Sequence, residues 1–370
     1  MKVIFKDVVK RANTKEDRFN TEKIYYVGGE HIHSNELLIN ERGIIKGSTI
    51  GPMFYFGFKA GQVLFVTRNP HLRKAAMVEF DGICSEKTLV LETMNPSVLS
   101  QDYLPIIMQS DNFWHYCEEH KSGGVNYFIN WSTLADYEFE LPSLEEQHSH
   151  SQKIWAAYRL RESYKKLLAA TDEMVKSQFI EMLFKKPITG KIGDLVDKKI
   201  FSVKKIHSMN DIIEYIDISS VERSNHSIVE TTSYVVSNAP SRAQQCVRLD
   251  DILVSTVRPI NRNIAVVNSD KNNLVASTGF CVLRPKLAFK EYLLAIVQSD
   301  KYTEAMIDKA SGGLYPAVNN GDVLNYGIYI PDEEFAKKFS LIYQQADKSK
   351  FELKQCIENI DKVIKSLINR

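Results

Sequence analysis

Two kinds of hydrophobic pattern alternate along the chain. The first is short. Lys23–Val27 before Gly28-Gly29, and Gln62–Thr67 before Asn69-Pro70, are runs of β-branched, aliphatic and aromatic residues closed by turn formers. Asp251–Val257 before Pro259, and Asn263–Val267 beyond it, have the same character, and all four predict strands. The second kind is long. Residues 143–186 and 332–370 contain neither Pro nor Gly. In the first of these, Ile154, Ala157, Arg161, Tyr164, Leu168, Thr171, Val175, Gln178 and Met182 follow one another in steps of three and four. Phe335, Phe339, Ile342, Ala346, Ser349, Leu353, Cys356, Ile360, Val363 and Leu367 do the same in the second. Steps averaging about 3.5 residues keep one seam of a helix against a partner. At ~1.5 Å per residue each helix would reach roughly 55 Å. Pro187 and Gly190 end the first of them, because proline cannot continue the helix.

Laid over itself, the chain repeats. Tyr103–Asp111 resembles Tyr292–Asp300 at a shift of 189 (position 103 onto position 292), and both segments end in Gln-Ser-Asp. The same shift carries Ser122-Gly123-Gly124 onto Ser311-Gly312-Gly313, Leu141-Pro142 onto Ile330-Pro331, and Val63-Leu64-Phe65 onto Ile252-Leu253-Val254. Asp7-Val8-Val9 against Asp194-Leu195-Val196 is a looser match. A period this long is too large for a solenoid unit and reads as a duplicated domain. Each half has one order: strands, a helix carrying Gln-Ser-Asp, the Ser-Gly-Gly loop, a short strand ending at Pro, then a long helix. The expected architecture is two mixed α/β (α+β) domains at 1–142 and 187–331, with long helices at 143–186 and 332–370. Two helices that each need a partner pack most simply on one another. Running as an antiparallel coiled coil, they would relate the halves by an approximate two-fold axis.

Composition narrows this picture. A chain of 370 residues with 44% hydrophobic content can build two or three packed domains. The net charge of +1 requires any basic surface to be local, or a partner to share the work of holding phosphates. Cys84, Cys117, Cys246, Cys281 and Cys356 are odd in number, scattered and without a C-x-x-C pair. They read as reduced thiols of a cytoplasmic protein, not as a disulfide frame or zinc site. The first residues do not form a secretory leader, and no stretch is long and apolar enough for a membrane span.

The two half-repeats, the Pro142 and Pro331 that launch the helices, and the two heptad regions together resemble the specificity (S) subunit of type I restriction–modification enzymes. The similarity extends over essentially the whole chain and lies in architecture, with no short motif carrying it. It implies that each globular part is a target recognition domain reading half of a split site in double-stranded DNA. It implies also that the helices act as a ruler and dock two methyltransferase (M) subunits, and leaves open whether restriction (R) subunits join them. The chain itself would be non-catalytic and hold no cofactor, with S-adenosylmethionine on the partner M subunits. The competing reading, from a different class, is a helical scaffold whose domains bind proteins. Positive potential on matching faces of both domains would favour the DNA reading.

Candidate contacts fall in two places per half. Lys121, Ser122, Gly123, Asn126 and Tyr127 form or flank one Ser-Gly-Gly loop; Lys309, Ser311, Gly312, Tyr315, Asn319 and Asn320 form or flank the other. Glycines let backbone N–H groups approach a phosphate, and Asn pairs with adenine in the major groove; a plain helix-to-strand turn is the competing account. Arg68, His71, Arg73 and Lys74 follow one strand, and Arg258, Arg262 and Asn263 follow its counterpart. Such post-strand cations suit phosphate or guanine contact, or belong to a solvated loop. Lys198, Lys199, Lys204 and Lys205 read as solvated surface. Catalytic motifs fail. Asn95-Pro96-Ser97-Val98 lacks the second Pro and the aromatic of an adenine methyltransferase motif, no phosphate loop is present, and Glu352-Leu353-Lys354 lies inside a heptad helix. His31 and His33 lack a supporting carboxylate cluster for a metal.

Overall fold

The computed structural model describes residues 1–197, 199–223 and 226–370, so Lys198 lies outside the described residues. The chain divides into two units, Met1–Lys166 with Leu353–Arg370, and Leu167–Glu352.

In the first unit Val63–Val66 lies inside an antiparallel sheet ordered Val9–Ala12, Thr88–Thr93, Val63–Val66, Ala75–Met77. Its four residues are all buried, and alternate ones feed different cores. Val63 and Phe65 pack with Phe5, Phe113 and Trp114, while Leu64 and Val66 pack with Val27, Phe58 and Cys84. A continuous apolar run, not an alternating one, is what a strand covered on both faces requires. The second sheet, ordered Gly43–Ile44, Tyr25–Val27, Gly82–Ser85, Phe54–Phe58, pairs its two inner strands in parallel. Lys2–Ile4 pairs with Glu138–Glu140 in a separate ribbon.

The second unit repeats the plan. Ile252–Ser255 lies between Ile264–Val266 and Phe280–Leu283. Ile252 and Val254 join one core and Leu253 another. Its second sheet, Thr232–Val235, Ile212–Ile216, Leu274–Ser277, Ala243–Cys246, again has a parallel inner pair. Where the first unit has the strand Val9–Ala12, the second has the isolated bridge Val196–Pro285 among the described residues.

Gln-Ser-Asp, expected within one helix, instead divides two. Leu104–Gln109 ends at Ser110, whose backbone is extended and whose Oγ accepts the Phe113 N–H, capping Asp111–Glu119. Ser299 stands likewise between Lys290–Val297 and Asp300–Lys309 and accepts the Tyr302 N–H. Serine's short hydroxyl satisfies an otherwise unpaired helical N–H, and this makes it a helix starter more than a helix interior residue.

The long helices are Leu144–Phe184 and Glu333–Ile368. In the second unit Phe179 packs on Phe339 and Tyr343, at ring distances of 4.8 and 5.4 Å, and Asp172 pairs with Lys350 at 2.5 Å. Rising numbers on one helix meet falling numbers on the other, so the two segments are antiparallel there. In the first unit Ile360, Ile364, Leu367 and Ile368 pack into the core that holds Ile154 and Tyr158, and Arg161 pairs with Asp361 at 2.9 Å. The expected seam is displaced at several steps. Gln178, Ser349, Cys356 and Val363 are exposed, and their neighbours Phe179, Lys350, Ile357 and Ile364 turn inward. A straight helix of 3.6 residues per turn drifts by about 20° per heptad from a strict 3.5-residue repeat, so one-residue slips accumulate along so long a helix.

Cys84, Cys117 and Cys281 are buried. Burial pushes the Cys84 and Cys281 thiols up to about 12, and that of Cys117 upward too, so all three stay protonated at neutral pH. Among the described residues no helix is long and apolar enough to cross a membrane.

Candidate nucleic-acid interface

In each unit the inner strand runs into a proline turn of unusual backbone. Pro70–Leu72 is a single 3-10 turn flanked by Asn69 (φ 51°) and Arg73 (φ 49°); Pro259–Asn261 is flanked by Arg258 (φ 48°) and Arg262 (φ 50°). Left-handed backbone at a residue with a Cβ costs roughly 1–2 kcal/mol, and strain of this kind concentrates at functional sites. The proline fixes the first φ of each turn. The 189 shift carries one turn onto the other residue for residue.

The Ser-Gly-Gly segments are closed loops. Ser122 and Phe128 exchange two backbone hydrogen bonds of 2.8 and 2.9 Å, and Ser311 and Ala317 exchange bonds of 3.0 and 2.9 Å. Gly123 and Gly312 have φ of 97° and 105°. A Cβ on Gly123 would lie 2.8 Å from the Asn126 carbonyl oxygen, so the loop needs glycine there.

Each loop is then tied to the proline turn beside it. The Asn69 N–H donates to the Tyr127 carbonyl at 2.8 Å and the Ile129 N–H to the Thr67 carbonyl at 2.9 Å. In the second unit the Arg258 N–H donates to Pro316 at 2.7 Å and the Val318 N–H to Thr256 at 2.9 Å. Two stretches some fifty residues apart (68–74 with 121–127, 258–263 with 309–320) thus become one surface per unit.

The cations on these surfaces are held. The Arg68 guanidinium stands 5.0 Å from the Phe128 ring centre, and the Arg258 guanidinium 4.5 Å from that of Tyr315. The Lys121 ammonium lies 4.4 Å from the Tyr127 ring and 2.6 Å from Glu118. Arg73 pairs with Asp111 at 2.6 Å, and Arg262 with Asp300 at 2.5 Å. These two carboxylates open the helices that Ser110 and Ser299 cap, and they fasten the far end of each proline turn. Sequence reasoning passed over them as site residues, although both stand in the Gln-Ser-Asp repeat. An arginine stacked on a ring and fixed at its backbone is a pre-oriented fork for a guanine edge or a phosphate.

The remaining predicted residues are not held in these clamps. His71 is exposed at the turn, and Asn126, Lys309 and Asn320 are exposed as well. The Lys74 ammonium donates to the Gly29 carbonyl at 2.6 Å. Asn263 is only 5% exposed and accepts from Arg223 Nε at 2.9 Å, which points it into the fold. Asn319 uses its side chain to cap Asn320–Leu324, accepting the Asp322 N–H at 3.0 Å.

No family model matches the chain. Solved structures do share its fold. The S subunit of a type I restriction–modification system from M. genitalium superposes with a TM-score of 0.62 at 12% identity, over 100% of this chain and 94% of that one. A chain of a type I R-M system, solved for its complex assembly and conformational transition, gives a TM-score of 0.57 at 17% identity over 100% and 96%. In sequence, 137 residues are 30% identical to the type I restriction enzyme HindI specificity subunit of Haemophilus influenzae. That match takes in 36% of this chain and 30% of the relative's length. The fold is therefore that of type I specificity subunits. The family resemblance seen in the internal repeat is matched by a curated relative of that same kind.

Proposed function

We propose that the chain is the DNA-reading specificity subunit of a type I restriction–modification complex. The observation that carries this reading is the joined pair of loops that occurs twice at one shift, each with a guanidinium stacked on an aromatic ring. Each unit reads one half of a bipartite double-stranded site. Arg68 and Arg258 are oriented for base edges or phosphates, while Lys121 and Lys309 supply phosphate contacts. Arg73 and Arg262, held by their aspartates, keep the turns in shape. The long helices dock two methyltransferase subunits, which bind S-adenosylmethionine and carry out methyl transfer, with restriction subunits joining where the complex cleaves DNA. The chain contributes recognition and no catalytic group, and it works in the cytoplasm, where the DNA is.

The test is to map methylated adenines genome-wide in cells with and without the gene. One bipartite motif should vanish on deletion, and complementation with Arg258→Ala/Arg262→Ala should leave it undermethylated. An unchanged set of methylated motifs on deletion would overturn the reading.

A further inference from the structure

Both Ser-Gly-Gly loops end in a bare apolar side chain. Val125 is 94% exposed and Leu314 is 80% exposed, and the 189 shift places one on the other. Single exposed apolar residues are ordinary on protein surfaces. What sets these apart is the same position in two diverged repeats, two residues after a left-handed glycine, at the tip of a loop closed by paired backbone bonds. Closed in this way, each loop holds its tip side chain outside the cores.

Building on the DNA-reading role above, we propose that Val125 and Leu314 are wedges that enter the base stack of duplex DNA, one in each half-site. A duplex presents apolar surface in its stacked bases and its thymine methyl groups, rimmed by phosphates. The loops present the complement. The apolar tips stand on surfaces that also carry ring-stacked cations, Arg68 and Lys121 in the first unit and Arg258 in the second. The Arg258 guanidinium also donates to the Leu314 carbonyl at 3.4 Å, tying a cation to the tip residue itself. Three acidic groups of these surfaces are paired with cations: Glu118 through Oε2 with Lys121, Asp111 with Arg73 and Asp300 with Arg262. Tyr315, 63% exposed beside Leu314 in sequence, adds a second exposed ring-bearing side chain to that loop.

The experiment uses the intact chain assembled with its methyltransferase subunits, and a duplex enriched from a random pool by its own binding. 2-Aminopurine is placed in turn at each step of that duplex. Wild type should raise fluorescence at one step in each half-site. Leu314→Ser should abolish the rise in one half-site only, and Val125→Ser in the other. Each should weaken binding by roughly tenfold, the loss expected when one apolar side chain no longer leaves water. Both tips are solvent-exposed, so unchanged urea midpoints show that the variants are folded. A fluorescence rise that survives both substitutions belongs to the methyltransferase subunits and overturns the wedge. The wedge falls equally if uracil in place of thymine reproduces the binding loss with no unstacking, since that is methyl reading. It falls too if the substitutions impair assembly with the methyltransferase subunits and leave DNA binding intact. A wild-type complex that enriches no sequence overturns the DNA-reading role itself, an outcome distinct from the other three.

Discussion

At the ends of Val63–Val66 and Ile252–Ser255, the two units solve one problem in different ways. In the first, Gln62 Nε2 donates to Glu92 at 2.6 Å, with Lys10 3.1 Å from the same carboxylate. At the equivalent register in the second, Asp251 is 1% exposed and grips Arg284 through bonds of 2.9 and 2.7 Å. Arg284 also reaches the carbonyls of Lys199 and Cys246. The strand pairings Val63–Leu91 and Ile252–Leu283 fix the equivalence. Polar pairing inside the sheets has diverged, while the proline turns have kept their backbone geometry, their Pro70 and Pro259, and their Arg–Asp clamps. The interior needs only that buried polar groups be satisfied, by any chemistry that fits. The turns hold a particular shape, as the proposed DNA-facing role requires.

The comparison breaks most readily at Arg284. Arg284→Met leaves Asp251 buried without its partner and should destabilise the second unit by about 3–5 kcal/mol. Gln62→Leu in the first unit should cost only about 1 kcal/mol, because Glu92 keeps Lys10. Urea unfolding followed by hydrogen exchange in each unit checks this. Equal losses would mean that the two pairs are interchangeable. Asp251→Leu combined with Arg284→Met should recover most of the stability.

At the turns the halves should behave alike. Arg68→Ala/Arg73→Ala and Arg258→Ala/Arg262→Ala should each weaken binding to the selected duplex by about 1–3 kcal/mol, measured by anisotropy at one fixed salt concentration. One silent pair would show that only one turn lies on the DNA.

A smaller effect separates Tyr302 from its counterpart Phe113. The Tyr302 hydroxyl is buried with no hydrogen-bond partner among the described residues. Tyr302→Phe should therefore be neutral or stabilise by up to about 1 kcal/mol, and Phe113→Tyr should destabilise. A thermal melt of each variant decides it.

The smallest effect is a pH dependence confined to the second unit. Burial lowers the pKa of His226 below its ordinary 6.5, and the nearby Arg262 lowers it further, against a raising bond with the Ile264 carbonyl. The unfolded chain then takes up the proton first as pH falls. Stability should decline from about pH 6.5 downward and level off below the folded-state pKa. His226→Gln should flatten this slope in pH-dependent unfolding.

The duplicated plan was legible in the sequence because the 189 shift preserves turn formers and caps, whose identity is set locally. Val63–Val66 and Ile252–Ser255 were legible as strands for the same reason. The seam was not fully legible. Whether Gln178 or Phe179 faces a partner depends on accumulated helical drift, which spacing alone does not resolve. Asn263 read as a contact because a polar residue after a strand is ordinarily exposed; its burial depends on Arg223, forty residues away. Val125 and Leu314 went unnoticed for the opposite reason, since a lone apolar residue in a polar loop carries no periodic signal.

The helix contacts bear on how the protein is made. Arg161 meets Asp361 across 200 residues of sequence, and Ile360, Ile364, Leu367 and Ile368 pack into the first unit's core. At about 5–20 residues per second the ribosome needs roughly 10–40 s to supply them after Arg161 has been made. Through that interval the apolar face around Ile154 and Tyr158 lacks its cover, although the sheets of the first unit are already complete. The second unit, Leu167–Glu352, is one continuous stretch and has no such wait. The domain translated first is therefore the last to close, and a pause late in translation would prolong its exposure to chaperones and proteases.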